Sequence, residues 1–403
     1  MNRAKVAILG TGRGMSFARN YHFQKDAEVV ALCDIRESRL LQTARRFREE
    51  FGRELRTYTD YGQMLERERP DIVVVANEGT RHPPFVVQAL EAGCAVQSEV
   101  PMSYSIQGML DIIDAVERTG KPYMLAENCQ YFGYMYVWKR YIEQGRLGEV
   151  VYAEAEYIHD CRNLHYMDEE GNCYSYEQAK AMGFKGIQRT WRSGIYSIQY
   201  ITHSLGPLLW LIEDRATVLS CLSTGSRTEP EEGNSDVDVA ILRTEKRRVV
   251  MKVACGHSVA HPTTLWYTLY GTKGSVETPR GTAELGAYWT EEENLKGWAG
   301  MPWATEHLGG PKEAITSGHG GADWFLVREF LDVVLYGKPN PIDVYRAVDY
   351  SLPGVLAVWS AQHDGESVRV PDFRDKGQRK LPEKLVEWDI RRSELEFRDV
   401  PRG

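Results

Sequence analysis

Lys5 to Gly14 read K-V-A-I-L-G-T-G-R-G, a short apolar run followed by three glycines at alternate positions. A run that is apolar on both faces and stops at glycine is typical of a buried parallel strand. Gly10 allows the tight turn, and Gly12 lets the backbone approach a pyrophosphate at the start of the following helix. Met15 stands where the third glycine of G-x-G-x-x-G is usual, so the motif is imperfect.

A carboxylate stands where the next strand would end. Val29 to Cys33 form a second apolar run, and Asp34 follows it, 24 residues after Gly10. A carboxylate at this place can bind the adenosine ribose hydroxyls of a dinucleotide, and it would repel a 2′-phosphate. Asp34 therefore favours NAD over NADP. Arg36 is either a cofactor contact that softens this preference or a solvated surface charge.

Apolar runs and helix-compatible stretches alternate through the first third of the chain. The stretch 38–51 separates the runs at residues 29–33 and 71–76, the stretch 82–92 separates the runs at 71–76 and 94–97, and both stretches fit helices. This alternation predicts an α/β fold with a doubly wound parallel sheet of the Rossmann type. Ligands of such sheets bind beyond the carboxyl ends of the strands.

The composition disfavours several classes of protein. The chain has 403 residues, which predicts two or three domains, and its net charge of −8 disfavours nucleic acid as a partner. We expect no membrane span, because the sequence contains no run of about 18 apolar residues. Its seven cysteines form no Cys-x-x-Cys pair, which indicates a reduced, cytoplasmic protein without disulfides.

Residues 71–101 resemble a known family. They read D-I-V-V-V-A-N, then His82, then A-L-E-A-G-C-A-V-Q-S-E-V-P, and are similar to the glucose-fructose oxidoreductase, inositol dehydrogenase and MocA family. The resemblance implies an NAD-binding Rossmann domain, residues 1–128, and a C-terminal α/β domain, residues 129–403, with a large open, mostly antiparallel sheet. It also implies a homo-oligomer and an active site between the domains.

One residue departs from that family. Its dehydrogenases usually carry Glu-Lys-Pro where this chain has Glu99-Val100-Pro101, and the lysine is assigned to the substrate hydroxyl and its proton. Val100 has no titratable or hydrogen-bonding group in its side chain. A conventional alcohol dehydrogenase is therefore disfavoured, unless another residue replaces the lysine.

Later segments resemble the NAD-dependent glycosidase branch of the family, whose members cleave glycosides such as α-N-acetylgalactosaminides and sulfoquinovosides. These segments occur in the same order as in that branch: A-E-N-C-Q-Y at 126–131, E-Y-I-H-D at 156–160, T-W-R at 190–192, T-H-S-L-G-P at 202–207 and G-H-G-G at 318–321. Together the motifs and the resemblance predict these cofactor-binding residues: Gly10, Gly12, Arg13, Gly14, Met15, Asp34, Arg36, Asn77, His82, Glu99, Asn128, Trp191 and Arg192.

A tyrosine and a histidine share one face of a predicted helix. Residues 196–212 have helical spacing, Tyr200 and His203 are three apart, and Pro207 is expected to end or kink the helix. Histidine titrates near neutral pH and can act as a general base on a sugar hydroxyl, with Tyr200 as a relay. The alternative is a Tyr–His pair that satisfies its own polar atoms in a core; the resemblance favours catalytic roles.

Tyr157 ends an alternating segment. Val150 to Tyr157 have period two, which predicts a strand whose last side chain can face a cleft. In the glycosidase branch the corresponding tyrosine is a candidate base for the proton on sugar C2. With an ordinary pKa of about 10, it needs a neighbouring cation or hydrogen-bond donor such as His159, Arg162 or Arg192. The alternative is a core tyrosine.

Polar residues near these positions are predicted to bind the sugar. They are His159, Asp160, Arg162, His319 and Asp323, the last two on a glycine-rich loop that enters a helix. Trp191 and Arg192 could add an apolar sugar platform and a hydrogen-bonding fork, although tryptophan is more often core. We expect no metal site, since His257 and His261 lie four apart outside any helical His-Glu-x-x-His pattern.

These features lead to a functional hypothesis. The chain is expected to be an NAD-dependent glycoside hydrolase that oxidises sugar C3, removes the C2 proton, expels the aglycone, adds water and restores the hydride. One alternative is a sugar or polyol dehydrogenase of the same fold, which is disfavoured by Val100. Another is an NAD-binding regulatory protein without catalysis, against which Tyr157, Tyr200 and His203 speak.

Overall fold

The computed structural model forms two compact units. It describes residues 3–230, 233, 235–278, 286–293, 296–301, 310–315 and 317–396. The first unit comprises the described residues of Met1–Gly133 and Thr305–Val348, and the second those of Tyr134–Ala304 and Asp349–Arg402. The segment that carries the glycine-rich loop at 318–321 therefore belongs to the first unit.

The first unit contains a parallel sheet of six strands in the order β3-β2-β1-β4-β5-β6. Its strands are β1 (Ala4–Leu9), β2 (Ala27–Cys33), β3 (Arg56–Tyr58), β4 (Ile72–Val75), β5 (Ala95–Ser98) and β6 (Tyr123–Leu125). Strands β1 and β4 pair at the centre, where Val6, Ile8 and Val74 are fully buried. Central parallel strands are covered on both faces, which is why their sequences are almost uniformly apolar. The predicted Rossmann-type sheet is confirmed.

Helices alternate with these strands. They are α1 (Gly14–His22), α2 (Glu37–Phe51), α3 (Tyr61–Glu68), α4 (His82–Glu91) and α5 (Ile106–Thr119). Helices α9 (Lys312–Ile315) and α10 (Ala322–Tyr336) follow later in the chain. Helix α10 contacts α1, and Arg328 of α10 forms a bidentate ion pair with Asp26, with N–O distances of 2.8 and 3.0 Å.

The second unit contains an open sheet of nine strands in the order β17-β16-β15-β14-β7-β13-β12-β11-β18. Its strands are β7 (Val150–Ile158), β11 (Ala216–Ser223), β12 (Val237–Thr244), β13 (Val250–Gly256), β14 (Thr264–Gly271), β15 (Gly274–Glu277), β16 (Gly286–Thr290), β17 (Ala299–Met301) and β18 (Val368–Arg369). Strands β7 and β13 are parallel, and the other pairs are antiparallel. The predicted large, mostly antiparallel sheet is confirmed.

The two faces of this sheet differ in character. In β7, Ala153, Ala155 and Tyr157 are buried on one face, whereas Tyr152 and Glu154 on the other are half-buried. The period-two alternation predicted for this segment is thus present, and it directs Tyr157 to the buried face. The remaining helices of the chain are α6 (Gly133–Glu143), α7 (Tyr176–Ala181), α8 (Thr202–Ile212), α11 (Val344–Gln362) and α12 (Glu383–Glu396).

The helix predicted over 196–212 is interrupted. A 3₁₀ turn covers Ser197–Tyr200, and α8 begins at Thr202. Pro207 was expected to end or kink the helix nearby. It does not end the helix, because α8 continues to Ile212. Proline lacks the N–H that would bond to the carbonyl oxygen of His203 four residues earlier. The Tyr267 hydroxyl of β14 donates to that oxygen instead.

An insertion between β7 and α8 has its own small core. Strands β8 (Tyr166–Asp168), β9 (Cys173–Tyr174) and β10 (Ile187–Arg189) form a three-stranded sheet in the order β10-β8-β9. Tyr166, Tyr176, Ala179 and Ile187 pack together beneath it. A buried hydrogen bond from His165 to Glu229 ties this insertion to the loop before β12, and the Tyr166 hydroxyl also reaches Glu229, at 3.3 Å.

The tail adds secondary structure to the second unit. Strand β18 pairs with β11 at one edge of the nine-stranded sheet, and α12 follows. None of the helices in the described part of the chain is long and apolar enough to cross a membrane.

The buried His165–Glu229 pair gives a stability prediction. Glu229→Ala should lower the free energy of unfolding by about 3 kcal/mol, because it leaves the polar ring of His165 buried without its partner. Both residues are at most 3% exposed. Urea denaturation of the full chain measures this change.

Glu54→Ala is the control, because Glu54 pairs with Arg48 through a side chain that is 80% exposed. The free energy of unfolding should hardly change in that variant. Equal effects of the two substitutions would contradict a structural role for the buried pair.

Candidate active site

The glycine-rich turn lies at the carboxyl end of β1. Gly10 has φ of +87°, and a Cβ there would lie 2.4 Å from the backbone oxygen of Ala76. At Gly12, by contrast, the nearest atom to an added Cβ is the tip of Arg39, at 3.8 Å. Gly10 is therefore required by the chain itself, whereas Gly12 leaves open space beside the backbone. Helix α1 begins two residues later, at Gly14.

Asp34 closes this turn from the end of β2. Its Oδ2 accepts hydrogen bonds from the backbone N and the hydroxyl of Thr11, at 2.8 and 2.7 Å. Its Oδ1 accepts from the backbone N of Arg36 at 3.0 Å. The carboxylate is thereby held in one orientation at the carboxyl edge of the sheet, and Oδ1 retains capacity for a further donor.

Other predicted cofactor residues line the following strand ends. His82 is buried, its Nδ1 lies 2.9 Å from the oxygen of Pro101, and burial lowers its pKa. The Oδ1 atom of Asn77 is buried and has no hydrogen-bond partner among the described residues. Met15, in the first turn of α1, is half-buried.

Arg13 bridges two carboxylates within the first unit. Its Nε donates to Glu99 at 2.8 Å, and its two terminal nitrogens donate to Asp323 at 2.7 and 2.8 Å. Asn128 also donates to Asp323, at 3.3 Å. Asp323, predicted to bind substrate, thus contacts two residues predicted to bind the cofactor. Burial alone would raise the pKa of the Asp323 carboxyl, but the hydrogen bonds and charges of His319 and Arg13 hold it well below its usual range.

His319 is attached to the same carboxylate. Its Nδ1 lies 3.1 Å from each oxygen of Asp323. The helix entry predicted around Gly318 is confirmed, because a 3₁₀ turn at His319–Gly321 leads into α10 at Ala322. The sequence did not reveal that this loop would join the nucleotide-binding unit, since more than 300 residues separate Asp323 from Arg13.

The predicted catalytic residues come together within the second unit. The Tyr157 ring stacks on the Tyr200 ring, with centroids 5.7 Å apart and planes at 22°. The His203 ring lies edge-on to both tyrosines, at centroid distances of 5.0 Å from Tyr157 and 5.2 Å from Tyr200. The adjacency predicted for Tyr200 and His203 is confirmed, across the junction of the 3₁₀ turn and α8 rather than within one helix.

His159 contacts the tyrosine directly. Its Nδ1 lies 2.9 Å from the Tyr157 hydroxyl. Burial, together with the charges of Arg192 and His203, lowers the pKa of His159 below its ordinary value of 6.5. A neutral imidazole at this place can accept the hydroxyl proton of Tyr157. His159 was one of the partners predicted for that tyrosine, and it bonds to the tyrosine directly.

Trp191 and Arg192 stack on the same cluster. The Trp191 and Tyr200 rings are 6.3 Å apart at 26°, and the Arg192 guanidinium lies 4.4 Å from the centroid of Trp191. Both residues were predicted to bind the cofactor, and both lie in the second unit beside the tyrosines. Thr190 accepts a hydrogen bond from the backbone N of Arg192 at 3.3 Å and fixes the start of this turn.

Asp160 and Arg162 pair with each other. The guanidinium makes two hydrogen bonds to the carboxylate, at 2.8 and 2.7 Å, and Arg162 lowers the pKa of Asp160. Both side chains are about one-third exposed. Two residues predicted to bind substrate are therefore also partners of one another.

His257 is a cluster member that the sequence analysis considered as a metal ligand and not as a site residue. It is 3% exposed, and its ring lies 5.7 Å from Tyr157 and 5.6 Å from Tyr200. Burial, with Arg192 as a further cause, holds its pKa well below the usual value. His257 follows β13 directly. A prediction that β13 pairs in parallel with β7 would have placed His257 beside Tyr157.

Comparison with known proteins decides the family. Residues 4–127 match an oxidoreductase family with an NAD-binding Rossmann fold, and residues 134–380 match the glycosyl hydrolase 109 C-terminal domain. The chain belongs to the glycosyl hydrolase 109 family. A glycosyl hydrolase family 109 protein of Stenotrophomonas maltophilia K279a is 26% identical over 411 residues, which cover 92% of this chain and 89% of the relative.

Further relatives agree with that membership. A glycosyl hydrolase family 109 protein of Shewanella amazonensis SB2B is 26% identical over 427 residues, which cover 96% of this chain and 89% of the relative. The predicted resemblance to the NAD-dependent glycosidase branch is confirmed. This member of glycosyl hydrolase family 109 is an NAD-dependent enzyme.

Solved structures share the fold. Levoglucosan dehydrogenase in complex with NADH and L-sorbose has a TM-score of 0.75 at 16% identity, covering 92% of this chain and all of that one (100%). An oxidoreductase from Agrobacterium radiobacter in complex with NAD+, L-tartaric acid and magnesium has a TM-score of 0.69 at 16% identity, covering 91% and 98%. These similarities concern the fold alone.

The residues of this family 109 member fit NAD. The backbone is open at Gly12, the Asp34 carboxylate is fixed at the carboxyl end of β2, and Asn77 offers a buried acceptor without a partner among the described residues. Val100, which replaces the dehydrogenase lysine, is 3% exposed, so its side chain is part of the core. Bound NAD supplies a hydride acceptor at this edge of the sheet.

The two glycines give a prediction that separates folding from cofactor binding. Gly12→Ala should fold like the wild type but bind NADH roughly tenfold more weakly or worse, because a methyl group would occupy the space for the pyrophosphate. Gly10→Ala should instead lower the free energy of unfolding by at least about 2 kcal/mol, because of its positive φ and the clash with Ala76.

Chemical denaturation and NADH fluorescence titration measure the two effects on the same preparations. Unchanged NADH affinity in Gly12→Ala would show that the cofactor does not approach the backbone there.

Proposed function

We propose that this enzyme hydrolyses glycosides by transient oxidation of sugar C3 and elimination across C1 and C2. The observation that carries the proposal is the short contact between Tyr157 and His159 inside an aromatic cluster that also contains Tyr200 and His203. Such a cluster supplies two proton acceptors without a pair of acidic residues flanking the glycosidic bond.

The first proton comes from the C3 hydroxyl. His203 is half-buried and presents a titratable ring against Tyr200, which suits a general base that works directly or through the tyrosine. The His203 carbonyl oxygen is anchored by Tyr267. This bond restrains the backbone of the first turn of α8, which carries His203. NAD, when bound, would supply the acceptor for the C3 hydride and the donor for its return, so no reduced cofactor should accumulate over a full turnover.

The second proton comes from C2, which is acidified once C3 is a ketone. Tyr157 accepts it at the hydroxyl oxygen after that hydroxyl has passed its own proton to Nδ1 of His159. Tyrosine has a high ordinary pKa, so it needs an acceptor for its own proton, and the neutral imidazole in hydrogen-bond contact at 2.9 Å provides one. The aglycone then leaves C1, water adds there, and the protons return by the same groups.

A net sugar or polyol dehydrogenase is the second candidate. It is favoured by the dehydrogenases and oxidoreductases that share the fold, and disfavoured by Val100 in place of the lysine. A regulatory protein without catalysis is disfavoured by the intact cluster around Tyr157. Steady build-up of NADH from free sugars without glycoside cleavage would favour the dehydrogenase.

We also propose a homo-oligomer that works in the cytoplasm on a small glycoside. The outward face of the nine-stranded sheet carries exposed apolar side chains on strands β11, β12, β13 and β14: Leu222, Ile241, Val250 and Tyr270. An apolar sheet face of this kind suits a contact with a second copy. Arg192 lies in the tyrosine cluster, and its guanidinium could bind an anionic group of a sugar, so anionic glycosides should be tested as substrates.

Deuterium incorporation tests the reaction. A panel of neutral, N-acetylated and anionic aryl α- and β-glycosides is incubated in D2O with NAD+. We expect cleavage with deuterium at C2 of the released sugar, since the C2 proton exchanges on Tyr157. Cleavage without exchange would contradict the elimination route.

Tyr157→Phe tests the base itself. Loss of the hydroxyl should lower kcat by roughly a hundredfold to ten-thousandfold, with little change in NADH affinity. The control is Tyr152→Phe in the same strand, whose hydroxyl bonds to Glu154 on the other face at 3.0 Å and which should keep full activity. Equal activity of the two variants would exclude Tyr157 as the base.

The protonation state of His159 predicts a pH dependence. The lowered pKa keeps the ring neutral at neutral pH, and protonation would remove the acceptor for the Tyr157 proton. The acid limb of kcat should therefore have its midpoint below pH 6.5, with activity lost as the pH falls. His159→Gln keeps an oxygen acceptor that does not titrate there, so this limb should shift or disappear. An identical limb in the variant would assign it to another group, such as His203 or His257.

A further inference from the structure

Asp323 connects the glycine-rich turn to a distant loop of the same unit. The residue is 1% exposed and lies in the first turn of α10. Its Oδ2 accepts from Arg13 at 2.7 Å and from the Ser16 hydroxyl at 2.8 Å. Its Oδ1 accepts from Arg13 at 2.8 Å and from Asn128 at 3.3 Å. One carboxylate thus binds three residues around the predicted cofactor site.

The other side of this carboxylate holds His319. The backbone from Gly318 to Gly321 has positive φ at four consecutive residues, +94°, +46°, +63° and +97°. A non-glycine residue in this region is strained and persists when its surroundings hold it there. The contact of Nδ1 with Asp323, at 3.1 Å, supplies such a restraint for His319. The side chain of His319 is nonetheless 48% exposed, so its ring can meet a ligand.

The guanidinium of Arg13 is held in place by its hydrogen bonds to Glu99 and Asp323, so it cannot move without changing its contact with Asp323. Three of its nitrogens are engaged by Glu99 and Asp323, in a geometry that fixes the plane of the guanidinium. A pyrophosphate that approaches the turn at Gly12 adds negative charge beside this arginine. Any change in how Arg13 shares its donors then alters the acceptor capacity that Asp323 offers to His319.

We propose that Asp323 is a positioning residue that couples NAD binding at the glycine-rich turn to the conformation of the Gly318–Gly321 loop. The coupling acts through one carboxylate shared by Arg13 and His319. It rests on the NAD-binding fold and stands whether the reaction is glycoside hydrolysis or dehydrogenation. By linkage, the loop conformation must favour NAD binding by the same factor as NAD favours the loop conformation.

Hydrogen–deuterium exchange of the full-length protein tests this coupling. Exchange of a peptide covering residues 317–321 is followed by mass spectrometry without NAD+ and with saturating NAD+. In the wild type, NAD+ should slow exchange of this loop by about fivefold or more. In Asp323→Asn the ratio of the exchange rates without and with NAD+ should fall to about one. NADH fluorescence titration of this variant should show binding that is weaker by a similar factor.

Asp26→Asn is the matched control. Asp26, which directly precedes β2, also forms a bidentate ion pair with an arginine of α10, Arg328. Among the described contacts it does not bond to Arg13 or His319. This variant should keep the NAD-dependent slowing. Where Asp323→Asn fails to fold, Arg13→Lys replaces it, because lysine keeps the charge and loses the fork that grips Asp323.

Two results would overturn the proposal. One is a wild-type loop whose exchange is unaffected by NAD+. The other is a folded Asp323→Asn or Arg13→Lys variant that retains the wild-type slowing.

Discussion

Parallel pairing of β7 with β13 is the constraint on which the second unit's site depends. The other strand pairs of that sheet are antiparallel, so among adjacent strands of the described sheet only this pair has both carboxyl ends at one edge. Tyr157, His159 and His257 follow from that pairing, and α8 lies across the same strands with His203. An antiparallel pairing of β13 with β7 would have carried His257 to the far edge of the sheet, away from Tyr157.

Much of the first unit could be predicted from sequence, because its signals are local. The apolar runs, the glycines of residues 10–14 and Asp34 each act within a few residues of their position. The pairing of Tyr200 with His203 was likewise predictable from a spacing of three. The break between their two helical segments was not, since it depends on partners from other strands.

The contacts that could not be predicted join residues far apart in sequence. Asp323 meets Arg13 across 310 positions, and Glu229 meets His165 across 64. Neither contact is marked in the sequence by a periodicity or a motif. A charged side chain can be recognised as buried only when the fold shows which partner lies beside it. Sequence reasoning therefore found most of the candidate residues but missed how they hold one another, and it considered His257 for the wrong chemistry.

The replacement of a helical hydrogen bond at Pro207 has a consequence for the order of folding. The carbonyl oxygen of His203 accepts a hydrogen bond from the hydroxyl of Tyr267, which lies 64 positions further along the chain in β14. An isolated helix would leave that oxygen to water, so the first turn of α8 gains this restraint when β14 has taken its place in the sheet. The part of the site that carries His203 is thus completed by long-range assembly, and a nascent chain reaches it only after strand β14 has been made.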